Sequence, residues 1–191
     1  MLAQVISLKQ WTRDEFVALE RAGLIDSGKY ELIEGQLIER MNKNQTHNGA
    51  LALLCVWLRS AFGDLFVAQG WSIDVAPVDN PTSEPQPDVI VLVPSIDRLA
   101  DQAKPEDISL IVEVSDSLIY FDLSIKANLY ARARVAEYWV ADINASRLIV
   151  HRDPSEGRYQ RVSTHSASES VTPLAAPDKT LRVGDIFRPT S

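Results

Sequence analysis

Polar and apolar residues alternate over residues 30–33 and again over 36–41, either side of Glu34-Gly35, and this period of two predicts a hairpin with a tight turn. Over residues 46–62 the period changes. Leu51, Leu54, Cys55, Leu58 and Phe62 recur at helical spacing, and Gly63 predicts the stop. Thr12 and Glu15, in capping-box order, predict an earlier helix that Gly23 ends. Residues 66–69 and 71–75 predict two more strands around Gly70, ahead of a proline-rich loop over 77–87. Unbroken β-branched and aliphatic runs then begin at Val89 and Leu110, each of strand length. Between them, residues 94–107 are polar and charged, a surface connection with at most a short helix. Leu123, Lys126, Ala127, Leu129 and Tyr130 return to helical spacing, followed by a buried strand over 137–142. Residues 147–151 and 159–162 predict a hairpin across 153–157, and 183–187 a closing strand and turn.

A helix between strands 110–115 and 137–141 makes a β-α-β crossover, and hence a parallel pair in a sheet otherwise built from hairpins. The prediction is an α/β fold of one domain: a mixed sheet flanked by helices with peripheral hairpins. Its core spans 28–165, with a helical extension at 1–27 and a tail over 166–191 packing on the core. No internal repeat and no second domain is apparent. Tyr138 and Trp139 fall inside the 137–142 strand, so they are expected in the core rather than as base-stacking residues.

Two of the apolar strands carry acids. Asp88 follows Pro87 at the mouth of one, and Glu113 stands inside the other. Burying an unpaired carboxylate costs several kcal/mol, so two such acids suggest a shared compensator, for which a hard divalent cation with oxygen ligands is suited. Mg²⁺ or Mn²⁺ is the expected ion, held by Asp88, Glu113 and the backbone carbonyl of Val114. The competing reading makes Asp88 a turn cap and Glu113 a water-facing edge residue. Lys126 falls near the start of the next helix, within reach of both acids; alternatively it is a surface partner of Asp122 at i, i+4.

Pro87-Asp88, Glu113-Val114 one strand later, and then Lys126 resemble the PD-(D/E)XK nuclease superfamily. More narrowly, residues 30–35, 85–89, 122–130 and 135–142 are similar to the Uma-type restriction endonuclease family, a likeness covering roughly residues 28 to 165. The resemblance implies a restriction-endonuclease-like fold and metal-dependent cleavage of DNA. It also implies site roles for Asp88, Glu113 and Lys126. Glu31 matches a recurring acid, carried here as a third carboxylate for metal or water, against an exposed strand glutamate. His47, at the start of the long helix, matches a position often seen in the family and is a possible accessory group with Asp122; a surface histidine is the alternative. One departure stands out: the superfamily's motif lysine is Ser115 here, so the amine role rests on Lys126. Cutting both strands of a duplex favours symmetric subunits, so a homodimer is expected.

Charge complicates this picture. With 19 Lys and Arg against 26 Asp and Glu the net charge is −7, where nucleic-acid binding favours a basic surface. Arg132, Arg134, Arg158 and Arg161 offer a local stripe for phosphates, or simply a scattered solvated surface. Two other functions therefore stay open: a nuclease fold that binds nucleic acid or a partner without cutting, and a hydrolase of small phosphodiesters. The lone Cys55 excludes an intrachain disulfide and a zinc cluster built on cysteines. No apolar run approaches about 18 residues and no basic-then-apolar leader opens the chain, so neither a membrane span nor a signal peptide is expected, and the location read is cytoplasmic.

Overall fold

A computed structural model describes residues 8–40, 44–94 and 102–187. The chain enters through helix α1 (Arg13–Arg21), whose N-cap Thr12 and Glu15 close the expected capping box. Next come strands β1 (Tyr30–Ile33) and β2 (Gln36–Glu39), an antiparallel pair. Glu34 and Gly35 both take positive φ, 48° and 75°, which is the turn that matches strand twist in a two-residue hairpin. Met41, the predicted end of that second strand, lies outside the described residues. Helix α2 (Gln45–Phe62) follows, capped by the Asn44 side chain and ended at Gly63 with φ 94°.

A six-stranded mixed sheet forms the centre, in the order β3 (Val67–Gln69), β4 (Val89–Leu92), β5 (Ile108–Ser115), β6 (Glu137–Asp142), β7 (Arg147–Ser155) and β8 (Arg158–Ser166). Only β5 and β6 run parallel, joined by the expected helical crossover. This pair is buried on both faces, as parallel strands are when helices or tails cover each side. On one face Leu54 and Leu58 of α2 pack with Val112, Trp139 and Val150; on the other, Leu129 and Tyr130 pack with Ile111, Tyr138 and Val140. Tyr138 and Trp139 are 0 % exposed, so both are core residues. The tail closes the α2 side, contributing Val171, Leu181, Val183 and Ile186 to that core.

The crossover helix departs from a plain α-helix. It runs as α3 (Ile119–Phe121), a π-helical segment (Asp122–Lys126) and α4 (Ala127–Arg132), with the Ala127 N–H donating to the Asp122 carbonyl five residues back. Four residues of α-helix overshoot one turn by roughly 40°, whereas the wider π turn does not. Asp122, Lys126 and Tyr130, spaced four apart, therefore stay on one inward face, and all three are buried.

Several expectations are corrected. Residues 71–75 form no strand; Ile73 makes a single bridge to Ala103, because the neighbouring chain presents Pro85 and Pro87, which lack the N–H a ladder needs. Residues 183–187 are not a strand either. The short strands β9 (Ser170–Val171) and β10 (Leu181–Arg182) pair, and Val183–Ile186 turns into a 3-10 helix as the Gly184 N–H takes the Ala167 carbonyl. A Cβ at Gly184 would meet that carbonyl oxygen at 2.7 Å, so only glycine fits the approach. The β7–β8 hairpin turns at Glu156-Gly157, tighter than the predicted 153–157 connection. Of the arginines proposed as a stripe, Arg132 is tied to Glu34 and Asp79, and Arg161 to Asp153. In the 94–107 connection, Pro105–Asp107 form one short 3-10 turn, while residues 95–101 lie outside the described residues. Among the described residues no helix is long and apolar enough to cross a membrane.

Candidate active site

The register Val89↔Val112 sets Asp88, at the mouth of β4, beside Glu113 in β5. The two acids interlock through backbone: the Val114 N–H donates to Oδ2 of Asp88 at 2.9 Å, and the Asp88 N–H donates to Oε2 of Glu113 at 3.2 Å. In an extended strand the N–H and C=O of one residue point the same way, so the Val114 carbonyl also faces the side on which β4 has just ended. Both carboxylates are buried, Asp88 5 % and Glu113 4 % exposed.

Lys126 joins the two halves of the site. Its Nζ lies 2.9 Å from Oε1 of Glu113 and 2.9 Å from Oε1 of Glu31, which β1 delivers from the peripheral hairpin. Oε2 of Glu31 is braced in turn by the Gln86 N–H at 3.1 Å. One α turn after Lys126, the Tyr130 hydroxyl donates to Oε1 of Glu113 at 3.2 Å. From the first turn of α2, His47 brings Nε2 to 3.4 Å from Oδ2 of Asp88, its backbone held by the Asn44 cap. Among the described residues its buried Nδ1 has no hydrogen-bond partner, and the buried Ser115 hydroxyl lies beside Asp122.

Asp88, Glu113, Val114, Lys126, Glu31, His47 and Asp122 thus line one cleft of about 70 Å³. Ser115, where the resemblance led a motif lysine to be expected, lines the same cleft, and Lys126 reaches it from the π-helical segment. Electrostatics follow from crowding four acids around one ammonium. Burial, with Asp88, Asp122 and Glu31 nearby, pushes Glu113 up to about 8 against the opposing pull of Lys126. Burial likewise pushes Asp122 up to about 6, again opposed by Lys126. Burial works against charge on Lys126, yet Glu113 and Glu31 outweigh it and hold the ammonium well above its usual range. The ammonium is the charge this cluster keeps, while burial first, and the excess of carboxylate after it, raise Glu113.

Among the described residues no three His, Cys, Asp or Glu side chains come together as a metal-binding group. A divalent ion here would instead take hard oxygen ligands from two carboxylates, one carbonyl and water. Asp88, Glu113 and Val114 offer that donor set, and a cation beside them offsets the carboxylate excess just described. The residues fit the ion.

Sequence reasoning missed Arg40, Gln86 and Tyr130. Tyr130 stands at i, i+4 from Lys126, a spacing that places it on the same inward face. Arg40 continues the alternation of β2, on the side of Ile38, whose cross-strand partner is Glu31. It approaches Oδ1 of Asp88 at 3.9 Å and donates to the Gln86 side chain.

A family model described as "Uma2: Putative restriction endonuclease" matches residues 13–184. A solved structure from Anabaena variabilis, described as a putative nuclease belonging to DUF820, shares the fold with a TM-score of 0.70. That likeness covers 92% of this chain and 97% of the other at 16% sequence identity. No curated protein matches by sequence.

Proposed function

The chain belongs to the Uma2 family of restriction-endonuclease-like proteins, and from that premise we propose that it hydrolyses phosphodiester bonds in DNA with Mg²⁺ or Mn²⁺. One observation carries the reading: a buried lysine, Lys126, shared at 2.9 Å by Glu113 and Glu31, in the cleft that also holds Asp88. Asp88, Glu113 and the Val114 carbonyl would hold the ion, which when bound supplies positive charge beside the reacting phosphate.

The chain's own groups do the rest. Lys126 has three N–H donors, one of them bonded to Glu113 while Glu31 pairs with its charge, which leaves donor capacity to orient the attacking water and to stabilise charge as water adds to phosphorus and a P–O ester bond breaks. Its held-up pKa argues against a neutral base. Glu31 keeps the amine in place, and Tyr130 keeps Glu113 in place. His47 and Asp122 are accessory, the first beside Asp88 and the second below Lys126 on the π-helical face. Duplex cleavage calls for two related sites, so a two-fold pair belongs to this reading.

The test is nicking of supercoiled plasmid with Mg²⁺ or Mn²⁺, against EDTA and an Asp88→Ala control. Turnover that needs metal and Asp88 is the expected result. Calorimetric metal binding without nicking would favour a non-cleaving scaffold, and turnover of a small phosphodiester alone would favour the small-substrate hydrolase.

A further inference from the structure

We infer that Arg40 grips the substrate phosphate, a contact that rests on the phosphodiester reading above. The cleft is lined by Glu31, Asp88, Glu113, Asp116 and Asp122, which together repel a phosphodiester. Lys126 offsets part of that charge, but its ammonium is already paired at 2.9 Å with both Glu113 and Glu31. Arg40 is the other permanent cation among the described lining residues.

Its guanidinium is held rather than used up. Nη1 donates to Oε1 of Gln86, whose own backbone N–H is bonded to Glu31, so the arginine is braced against the same hairpin that positions the lysine. Nη2 stands 3.9 Å from Oδ1 of Asp88, beyond hydrogen-bond length. The Arg40 side chain makes no other hydrogen bond among the described residues. An arginine side chain 16 % exposed, fixed at one nitrogen and turned with the other toward an acidic cleft, has donors aimed where, among the described residues, no protein acceptor lies within hydrogen-bond length. Guanidinium is suited to such a place, because its planar fork matches two oxygens of one phosphate and it stays charged at any working pH. His47 faces the other oxygen of Asp88, Oδ2, so the two groups do not compete for one position. Arg40 and Lys126 reach the cleft from different elements and meet different acids, Asp88 and Glu113. A phosphate seated between those acids is therefore held from the Asp88 side by Arg40, while water is oriented from the Glu113 side by Lys126.

A merely structural Arg40 would serve Asp88 by neutralising it, and metal affinity separates the two roles. With the full chain, supercoiled plasmid and Mn²⁺, Arg40→Met is expected to lower kcat/KM about a hundredfold or more while Mn²⁺ affinity by calorimetry stays within about twofold. Methylguanidinium added to Arg40→Ala restores nicking in part and does nothing for Lys126→Met. Arg40→Lys, which keeps charge and stem, retains an intermediate rate and tests the idea should the shorter variants unfold. Nicking by Arg40→Met or Arg40→Lys at the wild-type rate and without rescue overturns the inference, as does loss of Mn²⁺ binding in step with turnover. Wild-type protein that binds Mn²⁺ and never nicks overturns the phosphodiester reading itself and the inference with it, a result distinct from wild-type turnover that the variants leave unchanged.

Discussion

The Nζ of Lys126 and Oε1 of Glu113 lie 2.9 Å apart, both side chains buried, and the Glu113 carboxylate is held on its other oxygen by the Asp88 N–H. An ion pair with this little water around it is costly to break from one side, because the partner left behind is a buried charge.

Lys126→Met therefore carries two expected losses. Turnover falls on the order of a hundredfold or more, as for other groups that stabilise charge, while metal binding survives. Stability falls too, by roughly 3–5 kcal/mol where Glu113 is ionised, and by less below its folded value of about 8, where it carries a proton. Plasmid nicking and melting curves at pH 5 and pH 8 check both parts; an amine that nicking does not need returns Lys126 to a structural role.

Asp88→Asn keeps the acceptor for the Val114 N–H and removes the charge. Mn²⁺ affinity should weaken by at least roughly tenfold, with the melting temperature nearly unchanged. Isothermal calorimetry decides it, and an asparagine variant that binds metal as tightly as the parent would sink the shared-ion site.

The metal-free protein should lose stability as pH rises. Glu113 moves from 4.5 unfolded to about 8 folded, so between these values the folded state carries the extra proton and each step upward in pH favours unfolding. Asp122 adds the same sign between 3.8 and about 6. Denaturant titrations from pH 5 to pH 8 should show this fall, and Glu113→Gln should flatten it. Saturating Mn²⁺ should reverse the slope, since metal and proton compete for one carboxylate.

Tyr130→Phe removes one hydroxyl that donates to Oε1 of Glu113 and leaves the ring packing intact. A cost of about 1 kcal/mol in stability is expected, since Lys126 still satisfies that oxygen. A drop in kcat with unchanged KM would mark Tyr130 as positioning Glu113; urea denaturation and steady-state nicking measure the two effects separately.

Much of the architecture was legible along the chain because local patterns dictated it. The capping box at Thr12, the Glu34-Gly35 turn, the α2 stop at Gly63 and the parallel β5–β6 pair each follow from residues a few positions apart or from chain connectivity. The acids were legible for a related reason: Asp88 at a strand mouth and Glu113 inside an apolar run break a pattern that burial enforces. What the sequence alone left open was decided by contacts between distant elements. Residues 71–75 read as a strand, but whether a ladder forms depends on the neighbouring chain, and Pro85 and Pro87 offer it no donors. The π-helical segment has no signature in an α-like spacing; it arises where Asp122, Lys126 and Tyr130 must all face inward, toward the Glu113 strand. Arg40 shares the β2 alternation, but nothing marked it as a site residue until the hairpin was folded against the 85–88 loop, since the acid it faces comes from an element remote in the chain. Period and capping act over one or two turns and are written locally, whereas the charge balance of a buried cleft is a sum over elements that only tertiary packing brings within a few ångströms.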